Sequence, residues 1–99
     1  MRIYHNPRCS KSRQTLALLE DSGVSFEVVL YLNGLDDRFD ATFARIADRT
    51  TLLRKDAKPE GNLLTWLKAH PAGLERPIVD NGEVALVCRP PELVHTLLG

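Results

Sequence analysis

At 99 residues the chain is the size of one domain, near the lower end at which a hydrophobic core holds without staples, so a single domain over residues 1–99 is expected. A hydrophobic share of 43% and a charged share of 26% match ordinary soluble globular proteins and exclude a disordered, collagen-like or membrane-embedded chain. Thirteen basic residues balance thirteen acidic ones, so no overall field draws the molecule to nucleic acid or an anionic membrane, and any anion site must be local.

Arg2-Ile3-Tyr4 predicts a short strand, which Asn6-Pro7 breaks just before Cys9. Neither the apolar core of a signal peptide nor the roughly 18 apolar residues of a membrane span is found, so a cytoplasmic chain is expected. From Ser10 to about Asp21 there is no proline or glycine, and Leu16 and Leu19 recur one turn apart, which predicts a helix stopped at Gly23. Ser25 to Leu32 (SFEVVLYL) is aromatic, β-branched and largely apolar on both faces, as in one central strand. A strand-helix-strand unit of this length makes a right-handed crossover and pairs its strands in parallel.

Phe39, Phe43 and Ile46 at helical spacing predict a helix from Asp36 to about Arg49, followed by Leu52-Leu53-Arg54-Lys55 and a polar break at Lys58-Pro59-Glu60-Gly61. Asn62 starts a short helix carrying Leu63, Leu64, Trp66 and Leu67, which His70-Pro71-Ala72-Gly73 ends. Pro77-Ile78-Val79 and Glu83 to Val87 flank Asp80-Asn81-Gly82, the signature of an antiparallel hairpin. After Arg89-Pro90-Pro91, the stretch Glu92 to Leu98 predicts a last short helix with proline in its first turn. The fold class is α/β: β-α-β, then helices, then β-β-α, the order of a thioredoxin-like fold with a helical insertion between its halves.

Two cysteines, at positions 9 and 88, give neither a disulfide framework nor a metal-ligand spacing, so no metal is expected. Cys9 falls where a strand turns into a helix, where free N–H groups and the helix dipole favour an anion. His5, Arg8, Lys11 and Arg13 lie within about a turn of it, and along the chain no acid is closer than Glu20. A thiol so placed can have its pKa lowered from about 8.5 to roughly 3.5–7.5, and the thiolate is the nucleophile. Ser12 stands where a dithiol oxidoreductase carries its second cysteine and could donate its hydroxyl to the sulfur, so the motif is C-x-x-S. A buried structural cysteine is the ordinary alternative. It suits Cys88, at the end of the apolar run Val84 to Val87, better than Cys9.

Arg76 and Arg89 each precede a proline at the ends of the predicted hairpin, which brings them together, and Arg54 adds a third guanidinium. Arginine forks suit phosphate, arsenate or a carboxylate, although any one of them alone reads as a solvated surface charge.

Tyr4-His5-Asn6-Pro7-x-Cys9-x-x-Ser12-Arg13, Leu52-Leu53-Arg54-Lys55, Arg76-Pro77-Ile78-Val79 and Cys88-Arg89-Pro90, taken in order, resemble the successive signatures of the glutaredoxin-coupled arsenate reductase family. The resemblance covers most of the chain. It implies a thioredoxin-like fold, Cys9 as the residue that attacks arsenate, Arg54, Arg76 and Arg89 as the oxyanion holders, and His5, Ser12 and Arg13 as residues that tune the thiol. It also implies a cis peptide at Arg76-Pro77. Glutathione is then the co-substrate and glutaredoxin the protein partner, with no tightly bound cofactor, no nucleic acid, no membrane and a monomeric chain. The chain is shorter than members of that family, with a trimmed stretch expected between Lys58 and Asn62, which leaves a glutathione-dependent thiol reductase of another substrate as an alternative. A redox regulator of the Spx type would need C-x-x-C, and Ser12 opposes it. A phosphatase-like reductase would need C-x₅-R, and Thr15 occupies that arginine position.

Overall fold

The computed structural model describes residues 1–98. Its core is a sheet of four short strands: β1 (Arg2–Tyr4), β2 (Glu27–Val29), β3 (Ile78–Asp80) and β4 (Ala85–Val87), in the order β2-β1-β3-β4. β2 lies parallel to β1, with Ile3 opposite Val28, as a crossover through one helix requires. β3 runs antiparallel to both β1 and β4, with Ile3 opposite Val79 and Val79 opposite Leu86.

Alternation along the strands sends neighbouring residues to opposite faces and so builds two cores. Ile3 and Val79 join Leu19, Cys88, Val94 and Leu97 on one side. Here α1 (Ser10–Ser22) packs with a 3₁₀ segment, Pro91–Leu97. Tyr4 and Ile78 join Tyr31, Phe39, Phe43, Leu52, Leu67 and Leu74 on the other side, beneath α2 (Arg38–Arg45) and α3 (Leu63–Ala69). Each fully buried aliphatic or aromatic side chain contributes roughly 1.5–3 kcal/mol relative to exposure.

The helix signals act where the sequence places them. Gly23 ends α1 with a left-handed φ of 77° and bonds back to the Glu20 carbonyl. Asn62 caps α3 by accepting from the Thr65 N–H at 3.0 Å. Asn81 Oδ1 accepts from the N–H groups of Glu83 and Val84, closing the β3–β4 hairpin.

Three expectations need correction. Ser25 to Leu32 is not a central strand: only Glu27–Val29 pairs, at the sheet edge, leaving Val28, Leu30 and Leu32 exposed while Tyr31 turns inward in a 3₁₀ turn. The helix expected to Arg49 stops at Arg45, because Ile46 adopts extended backbone and bridges to Ala85 beside β4. Asp48 then caps a separate turn, Arg49–Thr51, accepting from the Thr50 N–H. The last helix is a 3₁₀ segment, which still buries Val94 and Leu97.

A polar chain crosses the α2 side of the sheet. Thr42 Oγ1 donates to Asp80 Oδ2 at 2.6 Å, so its lone pairs accept from the Tyr4 hydroxyl at 3.0 Å. Arg45 Nη1 bonds the same Asp80 oxygen at 2.8 Å, and the Gly82 N–H bonds the other. Burial pushes the Asp80 carboxyl up, but the bonds from Thr42, Gly82 and Arg45 outweigh it and hold it below the usual range. A depressed carboxyl stabilises the fold above its unfolded value of about 4 and loses that contribution as pH falls through the folded value. Asp80→Ala should therefore cost about 2–3 kcal/mol at neutral pH, less than a fully buried pair because Arg45 is partly exposed. In urea unfolding, the gap between wild type and variant should narrow on acidification below about pH 4. A gap independent of pH would show that the carboxylate charge contributes nothing.

Candidate active site

Cys9 is the N-cap of α1: its backbone is extended (φ −94°, ψ 122°) and its carbonyl accepts the first helical bond, from the Arg13 N–H at 3.0 Å. The loop before it is held by its own side chains. Asn6 Oδ1 accepts from the Arg8 N–H, the Asn6 carbonyl accepts from the Cys9 N–H, and Arg13 Nη1 donates to the Pro7 carbonyl at 2.9 Å. The Asn6 amide also reaches the buried Tyr31 hydroxyl at 3.4 Å.

Burial of the Cys9 sulfur pushes its pKa up. Hydrogen bonding and charge from Arg76, together with the N–H groups of Ser12 and Lys11 in the first helical turn, outweigh this and hold the thiol below its ordinary value. Arg89 Nη1 lies 3.8 Å from Cys9 Sγ and also donates to the Arg76 carbonyl at 3.0 Å. Thiolate absorbance against pH should accordingly show a Cys9 midpoint below the free value of about 8.5; a midpoint at that value in folded protein would contradict the reading.

The sequence neighbours act otherwise than their spacing implies. The Ser12 hydroxyl is bonded away from the sulfur: its oxygen accepts from the Asn6 N–H at 3.0 Å and lies 2.6 Å from His5 Nδ1. This short hydrogen bond between the Ser12 hydroxyl and Nδ1 ties the His5 imidazole to the start of α1. His5 is buried, and desolvation, followed by the charge of Arg13, lowers its pKa. Both effects disfavour a cationic His5 beside the thiolate, and Ser12 reaches Cys9 through its backbone N–H. Arg13 braces the loop from the surface.

The hairpin and the segment before α3 bring the three arginines to this thiol. Both Arg76-Pro77 and Arg89-Pro90 are cis, the second not foreseen from sequence. The Leu53–Leu74 bridge and the Arg54 N–H bond to the Gly73 carbonyl tie the two loops together. Together with Arg8, Cys9, Ser10, Lys11, Leu53, Lys55 and Glu75, Arg54, Arg76 and Arg89 line an open cavity of about 670 Å³. Arg76 Nε is buried and has no hydrogen-bond partner among the described residues.

Sequence spacing missed Glu75, whose carboxylate lies 3.8 Å from Arg54 Nη1 and 3.9 Å from Arg89 Nη1. Its signal is adjacency to Arg76, but its distance from Cys9 along the chain hid it. A larger groove, about 900 Å³, lies around the stacked Trp66 and His70, and no thiol lines it. Cys88 sits in the opposite core, where burial pushes its thiol up to about 12. Among the described residues no three His, Cys, Asp or Glu side chains converge as metal ligands, and no helix is long and apolar enough to cross a membrane.

A thioredoxin-like domain whose helix-capping, lowered-pKa thiol faces an anion-attracting cluster of arginines is the class that this fold and site define. The chain belongs to the ArsC family, whose model matches residues 4–97. It is 38% identical to an arsenate reductase of Haemophilus influenzae, with 97% of each chain covered. That alignment of 113 positions exceeds the 99 residues here, so the relative carries residues within the matched stretch that this chain lacks. Among solved structures, an arsenate reductase from Vibrio cholerae superposes with a TM-score of 0.82 at 31% identity over 98% of both chains. A putative arsenate reductase from Yersinia pestis does so with a TM-score of 0.80 at 37% identity, covering 96% of this chain and 97% of its own.

Proposed function

We propose that this protein reduces arsenate to arsenite in the cytoplasm as a monomer, with Cys9 as the nucleophile and glutathione and glutaredoxin as thiol donors. One observation carries the reading: Arg54, Arg76 and Arg89 converge on the pocket of the Cys9 sulfur. A tetrahedral oxyanion matches the charge and the planar forks of these arginines. The activity named for the Haemophilus and Vibrio relatives agrees with it.

In the proposed reaction the Cys9 thiolate bonds to arsenic, and one arsenate oxygen leaves as water after taking up protons. The glutathione sulfur then attacks the Cys9 sulfur, forming the S–S bond as the S–As bond breaks with its electron pair staying on arsenic, which leaves as arsenite. Each of the two thiols gives one electron, so arsenic falls from As(V) to As(III), and the sulfurs finish as a mixed disulfide. Glutaredoxin takes the glutathione from Cys9 and returns the thiol. The second sulfur is external, in keeping with serine at position 12 and with Cys88 buried in the far core. The arginines hold the oxyanion and neutralise charge as its oxygens rearrange. His5, Ser12 and Arg13 keep the strand-to-helix loop in the shape that aims N–H groups at the sulfur.

The test is arsenate-dependent NADPH consumption in a mixture of protein, glutathione, glutaredoxin and glutathione reductase. The expected result is consumption that saturates with arsenate. Consumption at the same rate when phosphate replaces arsenate, or none above a protein-free mixture, would overturn the proposal.

A further inference from the structure

We infer that Glu75 makes the cationic pocket select tetrahedral oxyanions that carry a proton, the class of arsenate and phosphate, over fully ionised ones such as sulfate. The inference rests on the oxyanion reading of Cys9 and its arginines and adds a specificity determinant to it.

Six of the ten side chains around the cavity are cationic and one, Glu75, is acidic. The carboxylate is held in place: the Arg76 N–H donates to Oε1 at 3.3 Å, and the same oxygen lies 3.8 Å and 3.9 Å from Arg54 and Arg89. The last two are ion-pair separations and not tight forks, so both guanidinium groups keep donors for a ligand.

A carboxylate in a site built to hold an anion weakens binding of every anion by charge, unless the ligand offers it a hydrogen. An ionised carboxylate accepts hydrogen bonds and donates none. Facing a protonated oxyanion, Glu75 can accept from the ligand's O–H while the arginines donate to its bare oxygens. Facing sulfate, it meets only acceptors, and lone pairs and negative charge oppose each other. Discrimination then comes from a repulsive element set against the wrong ligand, which equal affinity of the arginines for both ions cannot supply.

The experiment measures protection of Cys9 from alkylation by iodoacetamide, a neutral reagent, at neutral pH and constant ionic strength, with phosphate or sulfate as competitor. Phosphate is a protonated stand-in that does not oxidise the thiol. In wild type, phosphate should protect at concentrations at least about tenfold lower than sulfate, a modest factor for an open site because buried donor–acceptor mismatches discriminate far more strongly. In Glu75→Gln, whose amide can both donate and accept, sulfate protection should improve and the ratio should collapse toward one. Glu75→Asp, which keeps a carboxylate, should retain part of the preference.

An equal gain for both anions, with their ratio unchanged in Glu75→Gln, would mean that Glu75 acts by charge alone and would overturn the inference while leaving the oxyanion pocket standing. Failure of both anions to protect wild type would remove the pocket and the inference together. Arsenate turnover, measured separately, reports on the reductase proposal, so the two failures are distinguishable.

Discussion

Cys9→Ser should reduce arsenate turnover to the background of glutathione alone, a loss on the order of 10⁴-fold or more, because a serine oxygen can neither form the thiolate nor give up an electron into a disulfide. Its fold should persist, since the helix N-cap accepts serine as readily as cysteine. Cys88→Ser should behave in the opposite way. A hydroxyl among Ile3, Leu19, Val79 and Val94 costs about 1–3 kcal/mol unless it finds a partner, while turnover per folded molecule should stay at the wild-type value. Parallel activity and chemical-denaturation measurements on both variants separate the effects. Turnover in Cys9→Ser, or its loss in folded Cys88→Ser, would reverse the assignment.

The second large effect is expected at Arg89, whose guanidinium lies 3.8 Å from the sulfur. Arg89→Lys keeps the net charge, and the side chain is exposed enough that the fold should be unaffected. Lysine, however, presents a point charge in place of a planar fork and cannot hold an oxyanion while donating to the Arg76 carbonyl. Loss of one such donor typically lowers turnover by about 10²–10³-fold, and the retained charge places this variant toward the lower end. Alkylation of Cys9 by iodoacetamide should change far less than turnover, because lysine keeps the positive charge and Arg76 and the first helical turn still favour the thiolate. Steady-state kinetics with arsenate decide it: wild-type turnover in folded Arg89→Lys would reduce Arg89 to a surface charge.

Much of this arrangement is written locally. The strand, break, thiol and helix of residues 2–22 depend on neighbours a few positions apart, as do the caps at Gly23 and Asn62 and the hairpin around Asn81-Gly82, so periodicity and turn chemistry reveal them. Position in the sheet is not local. SFEVVLYL has the composition of a central strand, yet only one neighbour is available to pair with it, and its outer apolar residues stay exposed. Ile46 carries the helical spacing of Phe39 and Phe43, but the open edge of β4 offers it a bridge that no pattern within α2 announces.

The candidate site divides along the same line. The proximity of Arg76 and Arg89 follows from the hairpin, and Cys9 follows from the helix start. Glu75 was invisible because contact across a fold is not encoded in linear distance from the thiol. Ser12 was legible as a neighbour but not in its direction: on a helix start, whether a hydroxyl faces the sulfur or the preceding strand depends on where His5 and Asn6 lie.

The central claim is that one thiol, Cys9, reduces arsenate with electrons completed by an external thiol. It is tested most directly by measuring arsenite released from arsenate by purified protein, with glutathione and glutaredoxin each omitted in turn. Catalytic arsenite release is predicted only when both are present, with none above background for Cys9→Ser. Multiple turnovers in the absence of glutathione, or in the absence of Cys9, would contradict it.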